Sequence, residues 1–259
     1  MTANGIEGGI DPHEQMLRLV ARGFYRELIN YGVKEPQILT VASHLLDNVT
    51  LKSPPACRAL EPYSRLFRIG DVVDEWTESQ TLRIQEVTMV PLSLGEIPAI
   101  LEWLERPVVR ESFYPPFPQT EAELADHLLN SGREYLAISF EDTFVGIVGG
   151  EQVDSQSSKL EMRKLVGSSA MRGKGIGKKA TFLFLYYAFL VREFDKVFIH
   201  SMDTNIRNLN LNANFGFVLE GVFFDDARIG DTMRDVVRMA LSAKTWREMF
   251  AGTNGAVGR

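Results

Sequence analysis

Apolar side chains recur about every fourth residue near the start of the chain, among mostly polar neighbours. This spacing predicts an amphipathic helix from Pro12 to about Tyr31. Its apolar positions are Met16, Leu17, Val20, Phe24 and Leu28. A second helix is predicted after Pro36, with an apolar face from Leu39 to Val49. Two such helices cannot bury both apolar faces alone, so we expect this hairpin to dock on the rest of the chain or on a second subunit.

From residue 81 onward the pattern changes, and short apolar or alternating segments are separated by helical ones. The predicted strands are residues 81–89, 134–140, 144–153, 159–166, 195–203, 217–225 and 233–241. The predicted helices are residues 92–104, 121–129, 177–194 and 205–215, with Thr120 capping the second. We therefore expect a helical extension and a linker over residues 1–80, an α/β domain over 81–250 and a flexible tail over 251–259.

A glycine-rich turn, Arg172-Gly173-Lys174-Gly175-Ile176-Gly177, follows the predicted strand 159–166 and opens the apolar helix 177–194. Its alternate glycines allow backbone N–H groups to face one point. The start of the helix adds unpaired N–H groups and the positive end of its dipole. With Lys178 and Lys179 nearby, the turn predicts a site for an anion the size of a pyrophosphate.

The spacing of this turn excludes two other phosphate loops. A Walker loop requires G-x-x-x-x-G-K-[ST], but Gly177-Lys178 is followed by Lys179, and position 172 is arginine. A dinucleotide fingerprint requires G-x-G-x-x-G, whereas these glycines run G-x-G-x-G.

The chain of 259 residues is 45% hydrophobic and 24% charged, which suits one globular domain with an appendage or two small domains. Its net charge of −6 argues against nucleic acid as the main partner. Cys57 is the sole cysteine, so neither an intrachain disulfide nor a cysteine-based metal site is expected. The sequence has no signal-peptide pattern, and its longest apolar run, residues 180–191, is too short to span a bilayer. We expect a cytoplasmic protein without a membrane partner.

A second segment narrows the interpretation of the glycine turn. Asn205-Ile206-Arg207-Asn208 leads into Phe215-Gly216-Phe217 and Glu220-Gly221. Together with the glycine turn, this segment resembles the motifs of the GNAT superfamily of acyl-CoA-dependent N-acetyltransferases, over about residues 82–250. The closing stretch, Arg234-Asp235-Val236-Val237, with Trp246, is similar to the branch that acetylates amino sugars and ribosomal-protein N-termini.

The resemblance implies an α/β (α+β) fold with a mixed, mostly antiparallel central sheet, splayed middle strands and flanking helices, here preceded by a small helical N-terminal region. It also implies acetyl-CoA as co-substrate and no metal. The residues implied to bind acetyl-CoA are Leu165, Val166, Arg172, Gly173, Lys174, Gly175, Ile176, Gly177, Lys178, Asn205 and Asn208.

Acetyl transfer requires a neutral amine, so a carboxylate or an ordered water must accept a proton near the thioester. Glu161, on the strand before the turn, is the first candidate for this base, and Glu151 is the second. His200 and Asp203 lie near the end of the next strand, which faces the cofactor cleft in GNAT enzymes.

The sequence departs from the resemblance at Asn212, which we predict as a third catalytic position beside Glu161 and Asn205. Many GNAT enzymes carry a tyrosine there that protonates the leaving thiolate. An amide cannot donate and regain a proton as a phenol does, although it can hydrogen-bond the sulfur or the pantetheine arm. Asn205 is implied to meet the pantetheine region or a catalytic water.

The sequence leaves the acceptor open. The loop around residues 114–117 is aromatic and stiff, and the hairpin at 225–231 is acidic, which suits an amine. We expect a small amine such as an amino sugar or a related metabolite, with a protein N-terminus or a lysine side chain as the alternative. A third interpretation, motivated by Asn212 and the added helices, is a module that binds acyl-CoA or a partner without turnover. The N-terminal helices could also mediate a homodimer.

Overall fold

A computed structural model of the chain describes residues 12–30, 33–34, 37–39, 41–42, 63–110, 112–113, 115–130, 132–167, 171 and 173–251. The chain divides into two compact units. One comprises Met1–Ala59 with Asp203–Arg207, and the other comprises Leu60–Met202 with Asn208–Arg259. Within the described ranges, no helix is both long and apolar enough to cross a bilayer.

The first unit contains α1 (Pro12–Asn30), which confirms the predicted helix. The predicted apolar face is wrong in part, because Leu17, Val20 and Phe24 are exposed. Leu19 and Gly23, one turn apart, are buried on the packed face of α1. Residues 37–39 and 41–42 are also helical. The rest of the predicted second helix, part of the predicted linker and nearly all of the predicted tail lie outside the described residues.

The described part of the second unit is built on a nine-stranded sheet in the order β1-β2-β3-β4-β5-β6-β7-β9-β8. The strands are β1 (Val73–Glu75), β2 (Thr81–Ile84), β3 (Val87–Pro91), β4 (Glu134–Phe140), β5 (Thr143–Asp154), β6 (Lys159–Val166), β7 (Lys196–Met202), β8 (Val218–Ile229) and β9 (Thr232–Ser242). Neighbouring strands run antiparallel, except that β6 and β7 are parallel. The mixed, mostly antiparallel sheet implied by the resemblance is confirmed.

Helices cover both faces of this sheet. They are α2 (Trp76–Ser79), α3 (Ile97–Glu105), α4 (Pro107–Arg110), α5 (Glu121–Leu129), α6 (Ile176–Tyr186), α7 (Ile206–Asn214) and α8 (Ala243–Phe250). Leu165 on β6 belongs to the hydrophobic core beneath α3 and α5. Its neighbour Lys164 hydrogen-bonds to α6. Because successive strand residues point to opposite faces, α3 and α5 lie on one side of the sheet and α6 lies on the other.

The predicted strand 81–89 is wrong in one respect, because it is a hairpin of two strands. Its turn is at Gln85 and Glu86, where Gln85 adopts a φ of 52° and lets the chain reverse. The sheet also begins before residue 81, since β1 lies within the stretch predicted as linker and pairs with β2. By contrast, the gap between the predicted strands 134–140 and 144–153 is confirmed as a turn between β4 and β5. Glu141 and Asp142 both have positive φ there, as a type I′ hairpin turn requires.

The predicted helix 177–194 ends earlier than expected. After α6 the helix widens into a π-helical turn at Tyr187–Val191, where the Arg192 amide donates to the Tyr187 carbonyl over 2.8 Å. The Tyr187 hydroxyl is held by Glu134 at 3.0 Å, and Arg192 pairs with the same carboxylate at 2.6 Å. Apolar periodicity continues through this turn, which is why the sequence pattern did not show the end of α6.

Candidate active site

The glycine turn has the local geometry that the sequence predicts. Gly173 and Gly175 adopt φ of 85° and 77°, in the left-handed region that favours glycine. Gly175 caps α6, and its carbonyl accepts from the amides of Lys178 and Lys179 at 3.0 and 3.2 Å. The next two amides, of Ile176 and Gly177, lie in the first turn, where N–H groups have no helical acceptor. A Cβ added at Gly173 or Gly177 would meet no atom within 4 Å, so backbone borders open space there.

The three described lysines in and after the turn have different partners. Lys174 lies over the Phe140 ring with Nζ 5.0 Å from its centroid, and Lys178 lies 5.2 Å from the Tyr63 ring. Lys179 instead pairs with Glu86 at 2.6 Å, and its hydrogen bond lowers the pKa of that carboxyl. The expected contribution of Lys179 to an anion site is therefore offset by Glu86. Arg172 lies outside the described residues.

The sequence did not indicate that Lys164 contacts the helix behind the turn. Its Nζ donates to the Gly177 carbonyl at 3.3 Å and to the Thr181 hydroxyl, both in the first turns of α6. Although part of the side chain is exposed, desolvation lowers the pKa of Lys164 to about 7. Lys164 thus ties β6 to the start of the helix that carries the turn.

β6 and β7 diverge, as the resemblance implies for the middle strands. Their parallel pairing covers only three positions and stops at Glu161 and Phe198. Both strands continue beyond this point, β6 to Val166 and β7 to Met202. On the other side of β6, Leu165 and Val166 pair with Ile147 and Gly146 of β5. The backbone of β6 after Glu161 therefore borders an opening on the side of β7.

Glu161 and His200 meet where the two strands separate. Glu161 is 1% exposed, and its Oε1 lies 3.0 Å from His200 Nδ1. Its second oxygen accepts from Gln152 Nε2 at 2.8 Å. The His200 ring also packs edge-on against Phe198 and Phe223. The contact fixes the orientation of the imidazole, and a carboxylate and an imidazole can share the work of proton transfer.

Glu151 lies opposite Glu161 in the β5–β6 register but has different partners. Its Oε1 accepts from Arg163 at 3.0 Å, from His127 Nε2 at 2.8 Å and from the Tyr135 hydroxyl. Burial raises the pKa of Glu151, but these hydrogen bonds and the Arg163 charge outweigh it and leave the pKa at about 2. Glu151 is therefore a poor proton acceptor at neutral pH, in contrast to its prediction as second candidate for the base.

The same arginine anchors the aromatic loop that precedes α5. The Arg163 guanidinium lies 4.0 Å from the Phe117 ring centroid and donates to the Pro115 carbonyl. Phe117 is buried, whereas Pro115 and Pro116 are exposed. Tyr114 lies outside the described residues. The loop that sequence reasoning linked to the acceptor is thus fixed to β6.

The asparagines at the start of and within α7 have distinct environments. Asn205, half-buried, directly precedes the helix. Asn208 donates through Nδ2 to the Ser201 hydroxyl at 3.3 Å. Asn212 is 1% exposed, and its Nδ2 donates to the Asn208 carbonyl at 2.8 Å. The amide hydrogen bond of Asn212 is thus made within its own helix.

Three contributors to these sites carried no signal in the sequence. Gln152 and Lys164 are ordinary polar positions on predicted strands, and their partners lie on other elements. Arg26 of α1 forms an ion pair with Asp203, 177 positions away in the chain. Residue spacing along one segment cannot reveal such contacts.

Comparison with known proteins identifies the type of domain. Residues 86–218 match the family described as "Acetyltransferase (GNAT) domain". This range contains the glycine turn, the diverging strands and the Glu161–His200 pair. Among curated proteins no significant match is found.

Solved structures give the same fold. A crystal structure of an acetyltransferase assigned by inference is 25% identical, covers 68% of this chain and 96% of its own, and superposes with a TM-score of 0.56. A similarly assigned acetyltransferase from T. thermophilus is 26% identical, with 66% and 93% covered and a TM-score of 0.55. A spermidine N-acetyltransferase from Vibrio cholerae, in complex with CoA and spermine, is 18% identical, with 62% and 98% covered and a TM-score of 0.58.

Proposed function

Because the chain belongs to the GNAT family of acetyltransferases, we propose that it moves an acetyl group from acetyl-CoA to the primary amine of a small molecule. The observation that carries this proposal is the divergence of β6 and β7 from Glu161 and Phe198 onward. The proton-transfer pair Glu161–His200 lies where the opening begins, and the glycine turn follows the end of β6.

The residues around the opening fit acetyl-CoA. Gly173 and Gly175 supply the left-handed backbone that brings amides toward one point, and the open space beside Gly177 lets a phosphate approach. Lys174 and Lys178 add positive charge. The backbone of Leu165 and Val166 would bind the pantetheine arm. We propose Asn205 and Asn208 as further contacts, as the family resemblance implies.

We propose that Glu161 and His200 accept the proton from the attacking amine. As the amine nitrogen bonds to the acetyl carbonyl carbon, the carbon–sulfur bond breaks and CoA leaves as a thiolate. The proton released by the nitrogen passes to the His200–Glu161 pair, directly or through a water. The contact between Oε1 and Nδ1 orients His200 so that its other ring nitrogen can face the amine.

Asn212 has a different proposed role from the one expected from its position in the motif. Its burial and its hydrogen bond to Asn208 favour a part in holding α7 together. The thiolate of CoA is a reasonable leaving group, so the reaction does not require a dedicated acid. The missing tyrosine is therefore compatible with turnover, and family membership favours an enzyme over a non-catalytic binding module.

A small amine is favoured as acceptor, and two features support this. The β8–β9 hairpin carries exposed acidic side chains at Asp225, Asp226 and Asp231, which would attract an ammonium group. The spermidine enzyme of similar fold acts on a small polyamine. Polyamines therefore join amino sugars as the first compounds to examine, and a protein N-terminus is the alternative.

The experiment is a competition among acceptors. The protein is incubated with acetyl-CoA and an equimolar mixture of spermidine, a nucleotide-linked amino sugar and a short peptide with a free N-terminus, and the acetylated products are identified by mass spectrometry. A small-molecule product supports the proposal. Acetylation of the peptide alone would replace it with the protein-directed alternative.

A further inference from the structure

The helix α1 lies outside the residues that match the acetyltransferase family, yet within its own compact unit it contacts a segment that this match includes. This segment is Asp203–Arg207, which joins the end of β7 to α7 in the chain. The Asp203 side chain is fully buried, and its carboxylate forms an ion pair with Arg26 of α1. A buried carboxylate depends strongly on such a partner, because desolvation without a counter-charge is costly.

A second contact, one turn earlier on α1, is made with the same segment. A Cβ added at Gly23 would lie 2.9 Å from the Asp203 carbonyl oxygen and 3.0 Å from Ile206 Cδ1. Only glycine therefore lets the backbone of α1 approach this segment so closely. Gly23 and Arg26 are three residues apart, so they lie on the same face of the helix. The close approach at Gly23 restricts the backbone of the segment, and the ion pair with Arg26 holds the Asp203 carboxylate in place.

Asn205 lies between the two held residues, Asp203 and Ile206. With the carbonyl of Asp203 and the side chain of Ile206 both against α1, the backbone of Asn205 has little freedom to shift. Small displacements of a positioning group weaken binding and catalysis strongly, since a misplacement of about 1 Å can cost about 100-fold.

We propose that α1 positions Asn205 for acetyl-CoA, with Arg26 as the positioning residue and Gly23 as the site of close approach. This inference rests on the proposed function, because Asn205 is a cofactor contact only if the chain uses acetyl-CoA. Helix α1 is then needed for full affinity for acetyl-CoA. Its contacts with Asp203 and Ile206 supply a rigidity that the GNAT motif alone does not.

The test measures acetyl-CoA affinity by titration calorimetry in the full chain. Arg26→Ala is expected to raise the Kd and the KM for acetyl-CoA about tenfold, with a smaller change in the KM for the amine. Arg26→Lys, which keeps the charge, should recover part of the affinity. Arg18→Ala is the matched control on the same helix, because Arg18 pairs with exposed Glu14 at 2.6 Å. It should stay within about twofold of wild type.

A double-mutant cycle separates positioning from simple loss of structure. If Arg26 acts through Asn205, Arg26→Ala should have little further effect on the Kd in an Asn205→Ala background. Full additivity of the two effects would overturn the proposal, as would unchanged affinity in folded Arg26→Ala. Should Arg26→Ala fail to fold, Gly23→Leu is used, which keeps the ion-pairing groups and displaces the helix. Absence of acetyl-CoA binding by wild type would instead refute the proposed function itself.

Discussion

The Glu161 carboxylate and the His200 imidazole lie on adjacent parallel strands with Oε1 and Nδ1 3.0 Å apart. Glu161 is the last residue of β6 that pairs with β7, and His200 lies two residues beyond its partner Phe198. The contact brings together the first candidate for the base and a histidine 39 positions later in the chain. It also lies where the strands open. Proton acceptance and access for a co-substrate therefore occur at one place in the sheet.

Removing either member of this pair should slow acetyl transfer while leaving acetyl-CoA binding intact. Glu161→Gln and His200→Ala are each expected to lower kcat by about 100-fold or more, because a positioned general base contributes on that scale. Glu14→Gln is the control, since Glu14 forms an exposed ion pair with Arg18. Steady-state kinetics with measured Kd values test this, and a full-rate His200→Ala enzyme would exclude the imidazole from catalysis.

Gly175→Ala should weaken acetyl-CoA binding through backbone strain in the turn. Alanine at a φ of 77° costs about 1 to 2 kcal/mol, and relief of that strain would turn the amides away from the anion. Gly230→Ala is the matched control, because Gly230 also has a positive φ, of 57°, and open space for a Cβ. Both variants should lose similar stability, but only Gly175→Ala should lose the thermal stabilisation that acetyl-CoA provides. Equal stabilisation of both by acetyl-CoA would argue against a cofactor role for the turn.

Arg163 and Arg238 have similar partners but differ in burial, so replacing each one tests how burial changes the contribution of an ion pair to stability. Each guanidinium lies over an aromatic ring, 4.0 Å from Phe117 or 4.1 Å from Phe198, and each pairs with a glutamate. Arg163 is 4% exposed and Arg238 is 27% exposed. Arg163→Met should destabilise the fold by about 3 kcal/mol, because it removes the guanidinium that is paired with the buried Glu151 carboxylate. Arg238→Met should cost about 1 kcal/mol or less. Chemical denaturation measures both values, and a similar loss in the two variants would contradict this interpretation.

Lys164 should make stability depend on pH above neutrality. Its pKa is about 7 in the folded chain and 10.5 as the ordinary value, so between these pH values the unfolded chain binds more protons at this residue. Stability contributed by this group therefore rises with pH over that window, by at most about 1.4 kcal/mol per unit. Lys164→Met should lack this rise. Denaturant melts at pH 7, 8 and 9 compare the two proteins, and parallel curves would show that Lys164 does not titrate in this range.

Local patterns in the sequence predicted most of the sheet and the turn at its centre. The alternation of apolar residues gave β4 to β9 within a few positions, and the positive-φ glycines 173 and 175 lie where the motif placed them. Two of the errors have different causes. Apolar residues continue through the π-helical turn after Tyr186, so the end of α6 leaves no mark in the pattern. The reversal at Gln85 and Glu86 falls on polar residues, but the apolar positions resume so soon, at Val87, that the segment resembles one strand.

The partners of the candidate site residues could not be predicted in the same way. Glu161 and Glu151 have the same side chain at opposite positions of one strand pair, and only their neighbours distinguish a proton acceptor from a fixed anion. The pairing register of the strands decides which residues become those neighbours, such as His200 beside Glu161 and Arg163 beside Glu151. The contact of Arg26 is harder still to predict, since its partner Asp203 is a loop residue far away in the chain.

Amine-dependent transfer of an acetyl group is the central activity proposed for this protein. The measurement is release of the CoA thiol from acetyl-CoA by the purified chain, with and without small amines. We expect thiol release that requires both an amine and the protein, together with one acetyl group gained by the amine. Acetyl-CoA binding with no thiol release across a broad set of amines and peptides would contradict it.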